Sequence, residues 1–200
     1  MKRTIIILLL CLSCQLQTFS QKHKLDNFSI AATTLHTNFP FNSFSKLFTE
    51  EFHPGFELGI GFNWKTKAKH DWFQDFKLGY SYHRFVQHSI TLYSEIGYRY
   101  KFLKTFNAEA SVGAGYLHAI SAEKIFVLQS DGTYKKKTNI GRPQAMASFS
   151  IGLSKKISTS GTTVFLNYQQ RLQFPFIKSY VPLLPENMLQ AGVSIPLKSK

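Results

Sequence analysis

From Ile90 to Phe102 apolar and polar side chains take turns. Ile90, Leu92, Ile96 and Tyr98 stand against Thr91, Tyr93, Glu95, Gly97 and Arg99. A period of two over this length predicts a strand with one apolar and one polar face. The same pattern sets Phe56, Leu58, Ile60, Phe62 and Trp64 against Glu57, Gly59, Gly61 and Asn63, and Phe76, Leu78, Tyr80 and Tyr82 against Lys77, Gly79, Ser81 and His83. It returns around 108–116, 145–153, 164–171 and 189–197, and in a weaker first segment from Phe28 to Thr37. The chain therefore predicts an all-β fold of about eight strands, closed as an antiparallel transmembrane β-barrel.

Connection lengths support closure, because small membrane barrels alternate short turns with long loops. Leu103 to Thr105 and Ile157 to Gly161 are short and fall on one side. Asn38 to Pro54, Ser121 to Arg142 and Pro175 to Asn187 are long and fall on the other. In the first long connection Phe41, Phe44, Phe48 and Phe52 recur at helical spacing. That stripe reads equally as an amphipathic helix on the membrane or barrel mouth and as ordinary loop packing against the rim. Gly59, Gly61, Gly79, Gly97, Gly113, Gly115, Gly152 and Gly192 all fall on polar faces, where a narrow lumen needs room for larger neighbours.

The N-terminus changes the picture from fold to address. Met1, Lys2 and Arg3 precede an apolar run, Ile5 to Leu12, far too short to span a bilayer as a helix. It predicts a signal peptide over residues 1–20, cut after Ser20, and a barrel domain over 21–200. Lipid attachment at Cys14 is the competing reading. Cys11 and Cys14 both lie in this leader, so the mature chain is expected to lack disulfides and thiol chemistry. With eight strands both termini are expected in the periplasm of a bacterial outer membrane.

The chain carries 24 Lys and Arg against 11 Asp and Glu. Removing Lys2 and Arg3 leaves 22 basic side chains, a mature charge of +11. Export argues against nucleic acid, so the expected partners are the anionic groups of outer-membrane lipid or lipopolysaccharide, met by Lys135, Lys136 and Lys137. No cofactor is expected, and none of the seven histidines has helix-spaced metal-ligand partners. Six charged residues fall on polar faces: Glu57, Glu95 and Glu109 with Lys77, Arg99 and Arg171. They are expected to pair inside the lumen as a plug, since an isolated buried charge costs several kcal/mol.

Gln190, Gly192, Ile195 and Leu197 resemble the C-terminal β-signal by which outer-membrane barrels are recognised for insertion, although Lys198, Ser199 and Lys200 end the chain where an aromatic is usual. The segments HPGFELGIGFNW and SEIGYRY resemble small barrels of the porin superfamily, OmpA/OmpX-like and of Bacteroidota type. The resemblance implies insertion by the barrel-assembly machinery and specifies architecture rather than activity. The expected function is a structural or accessory role, alone or within a larger outer-membrane complex. The alternatives are a narrow channel and an outer-membrane lipid-modifying enzyme. For an enzyme, His88 with Ser89 and His118 with Ser121 are the nearest nucleophile–base pairs, but their parity points them apart, so no catalytic residue is expected.

Overall fold

The computed structural model describes residues 25–36, 51–123, 126–136, 140–176 and 182–197. Residues 1–20, the aromatics Phe41, Phe44 and Phe48, and Lys137 lie outside them. The strands are β1 (Asn27–His36), β2 (Pro54–Thr66), β3 (His70–His83), β4 (Gln87–Lys101), β5 (Phe106–Ser121), β6 (Phe126–Leu128), β7 (Tyr134–Lys136), β8 (Arg142–Lys156), β9 (Thr163–Phe174) and β10 (Leu184–Pro196). Eight of them close a barrel in the order β1-β10-β9-β8-β5-β4-β3-β2, and every pairing is antiparallel. Closure by β1 on β10 leaves no strand edge in the wall, as hydrocarbon requires. The weak first segment is a full strand, with Asn27 opposite Pro196 and His36 opposite Asn187.

The period-two pattern maps onto the two faces of this wall. Leu92, Val112, Leu153 and Leu166 point outward and are each more than half exposed. Their alternate neighbours line the lumen. A water-soluble surface would not carry such a continuous apolar belt, which lipid covers in a membrane barrel. Aromatic side chains border the belt at both ends. Trp72, Tyr98 and Tyr100 lie at the end that holds the termini, with Trp72 edge-on to Tyr98 at 5.3 Å between centroids. Tyr80, Tyr82 and Tyr116 lie at the opposite, loop end.

Three differences from the sequence expectation concern boundaries. β3 begins at His70, six residues before Phe76, and β10 at Leu184 rather than near Leu189. The long connection after β5 is not featureless: β6 and β7 pair as a small hairpin outside the barrel. At its tip Asp131 accepts hydrogen bonds from Thr133 Oγ1 at 2.7 Å and from the Thr133 amide at 2.9 Å. These bonds hold its carboxyl below the usual carboxylate range. Gly132, at φ 79°, supplies the left-handed residue of the turn.

Candidate functional site

Among the described residues the lumen gathers a buried cluster of charge. At its middle Lys77 Nζ donates to Glu95 Oε2 at 2.8 Å and stands 3.5 Å from Glu57 Oε1. The Glu95 carboxylate takes further hydrogen bonds. Ser148 Oγ and Ser150 Oγ each donate to Oε1 at 2.8 Å, Gln169 Nε2 donates to it at 3.0 Å, and Ser111 Oγ donates to Oε2 at 3.3 Å. Glu57 accepts from the Tyr93 hydroxyl and from Gln190 Nε2 at 3.4 Å. Every one of these side chains is buried. Every barrel strand except β1 contributes to the cluster.

Period two brings these groups to the lumen, but glycine makes the space for them. A Cβ on Gly113 would fall 2.6 Å from Glu95 Cγ and 2.7 Å from Ser148 Oγ, so any larger residue there would push the carboxylate out of the cluster. Gly97 does the same for Phe73, whose ring turns inward, covers the glycine and places its face 4.8 Å from the Arg99 guanidinium.

The six charged residues expected to share partners divide into separate groups. Lys77 holds Glu57 and Glu95. Arg99 Nε pairs with Glu109 at 2.8 Å, nearer the termini end, with Ser154 Oγ donating to the same carboxylate oxygen at 2.7 Å. Arg171 joins neither. Its Nε faces Glu186 Oε2 at 3.5 Å in the loop half of the lumen, an ion pair without hydrogen-bond alignment. Strand tilt and stagger separate in height residues that share a face, so parity alone does not assign partners. Asp71, which pairs with Lys101 at 2.7 Å, also escapes the sequence reading, because the start of β3 does.

Above the central cluster the lumen is filled by side chains, apolar and polar together. Tyr93, Leu117, Ala119 and Met146 form a buried apolar layer, and beyond it Gln87 Nε2 donates to Gln173 Oε1 at 2.8 Å. Below the cluster it is open. A cavity of about 340 Å³ reaches from Glu57 and Lys77 to the rim at Asp26, Gly161 and Pro196.

The other candidate residues lie apart from this cluster, with one exception. Gln190 is both part of the insertion-signal pattern and a fully buried member of the lumen network. Gly192 packs against the Phe165 ring and the Ile30 carbonyl, Ile195 faces outward, and the Leu197 amide donates to the Asp26 carbonyl at 2.8 Å. Lys135 and Lys136 are exposed on β7, opposite Val127 and Phe126. His88 faces outward, where its Nδ1 lies 2.8 Å from the Tyr80 hydroxyl, whereas Ser89 is buried in the lumen. His118 lies 2.8 Å from the Tyr116 hydroxyl on the outer face and is likewise not joined to Ser121, whose hydroxyl donates to the Glu123 carbonyl. Among the described residues no group of three His, Cys, Asp or Glu side chains is placed to hold a metal ion.

No family model and no curated protein sequence matches the chain. Solved structures do. Neisserial surface protein A superposes with a TM-score of 0.50 at 10% identity, covering 86% of this chain and 96% of that one. The outer-membrane enzyme PagL gives 0.48 at 12% identity over 86% and 99%, and Ail, the attachment invasion locus protein of Yersinia pestis, 0.42 at 12% identity over 86% and 100%. At such identities the likeness is one of fold: the chain is a closed eight-stranded antiparallel β-barrel of the outer-membrane type.

Proposed function

We propose that this chain resides in a bacterial outer membrane as a sealed barrel with a structural or accessory role, alone or within a larger outer-membrane complex. On this reading it belongs with the porin-superfamily barrels of Bacteroidota that its strand motifs resemble. The observation that carries the reading is the saturation of Glu95. Its two carboxylate oxygens take Lys77 and four neutral donors from β5, β8 and β9, a crosslinked cluster that supports a lumen closed at its middle. Purified protein in a planar bilayer should give no steady conductance. Stable single-channel steps would replace this reading with that of a narrow channel. A non-catalytic role is supported by the separation of His88 from Ser89 across the wall.

In this proposal both termini are periplasmic, β10 is read by the barrel-assembly machinery, and the β6–β7 hairpin faces outward to meet anionic lipid or lipopolysaccharide. Trypsin added to intact cells should then cut after Lys135 or Lys136. Cleavage that requires the outer membrane to be opened first would invert the topology.

A further inference from the structure

The cavity in the termini half of the lumen is more than the unused end of a plugged barrel. Four carboxylates line it, Asp26, Glu57, Asp75 and Glu109, against two cations, Lys77 and Arg99. Both cations are already engaged: Lys77 by Glu57 and the deeper Glu95, Arg99 by Glu109. Two carboxylates are left over. Asp26 Oδ2 accepts from the Asn63 amide at 2.7 Å and from Asn63 Nδ2 at 2.9 Å, both neutral donors. Asp75 has no hydrogen bond and no close ion pair among the described residues, and its cationic neighbours in the cavity are Lys77 and Arg99, whose closest carboxylates are others. The cavity is thus net negative inside a chain that is strongly basic overall.

The position of Asp75 is built rather than incidental. Gly61 stands opposite it on β2 and opposite Asn27 on β1, and a Cβ on Gly61 would collide with both side chains. The glycine therefore lets the Asp75 carboxylate and the Asn27 amide lean together over the β2 backbone. Asn63 adds a side-chain oxygen, Oδ1, that is buried and unbonded on the same wall. What converges there is a set of acceptors, two of them anionic, in a recess whose walls focus their field.

We propose that this vestibule binds a small organic amine from the periplasm, a linear molecule carrying two or more primary ammonium groups, with one ammonium at Asp75 and another at Asp26. An ammonium brings three donors to a wall of acceptors, and a linear amine fits a recess of about 340 Å³ that runs from rim to plug. The surplus of carboxylates selects against anions. The basic surface repels amines elsewhere, so saturable binding reports this recess.

The test is calorimetric titration of spermidine into the purified mature barrel in mild detergent at low salt, with putrescine, magnesium chloride and citrate as comparators. Binding at one site is expected, tighter for spermidine than for putrescine and absent for citrate. Asp75→Asn should weaken it by about tenfold, since it removes one full charge from the recess. Ser194→Lys, which adds an ammonium to the cavity wall from the chain itself, should abolish it. Heat-modified gel mobility should remain that of a folded barrel in both variants, and if one fails to fold the other carries the comparison. Three results would overturn the proposal: no saturable spermidine binding at millimolar concentration, undiminished affinity in a folded Asp75→Asn or Ser194→Lys barrel, or magnesium binding more tightly than spermidine.

Discussion

Lys77→Met should lower the stability of the barrel by about 3–5 kcal/mol, because it removes the cation from two buried carboxylates at once. Glu57 and Glu95 are 5% and 1% exposed, so water cannot take over the lost interaction. The four neutral donors on Glu95 offset part of the loss, while Glu57 keeps only Tyr93 and Gln190. Urea unfolding in lipid vesicles reads the change directly. Adding Glu57→Gln and Glu95→Gln to Lys77→Met should recover most of it, since the stranded charges leave with their partner. Arg99→Met provides the contrast. Arg99 and Glu109 border the open vestibule, at 20% and 16% side-chain exposure, so solvent screens the orphaned carboxylate and the loss should be only about 1–2 kcal/mol. If Arg99→Met proves as costly as Lys77→Met, the vestibule is not wet and the central cluster is not the seal.

The architecture was legible because lipid outside and a polar lumen inside both impose a period of two, and each barrel strand carries it. The pattern fails where a side chain breaks the rule for a local reason. β3 is recognisable only from Phe76 because Trp72, Phe73 and Gln74 blur the alternation just before it. Phe73 is an aromatic turned inward to cover Gly97, and Gln74 is an amide turned outward to donate to Ser94 Oγ at 2.8 Å. That blurring concealed Asp71 and Asp75, and with them the vestibule. At β10, Pro185 reads as loop and Glu186 with it, although the strand begins at Leu184 and Pro185 pairs with Leu172. Sequence parity told which way a residue faces but not how high it stands, and this grouped Arg171 with carboxylates at other levels of the lumen. Proximity in the tilted wall comes from register, which no single strand encodes.

Arg171 and Glu186 make the opposite prediction to Lys77, although both sites are buried ion pairs. The two side chains are each 1% exposed, yet Nε and Oε2 are 3.5 Å apart without alignment, and Arg171 Nη2 is also unbonded. Desolvation of both charges is therefore offset by an attraction that lacks good hydrogen bonds, the situation in which a buried pair contributes little net stability. Arg171→Met alone should destabilise by about 3–5 kcal/mol, since it leaves Glu186 charged and buried. Arg171→Met with Glu186→Leu should return to wild-type stability or exceed it by about 1–4 kcal/mol, because apolar side chains replace two desolvated charges in a buried part of the lumen that already holds Leu117 and Met146. The measurement is a double-mutant cycle by urea unfolding in vesicles, with Glu186→Leu as the fourth corner. A double variant no more stable than Arg171→Met alone would mean that the pair holds β9 to β10 in register, and that its charges are structural rather than a tolerated cost.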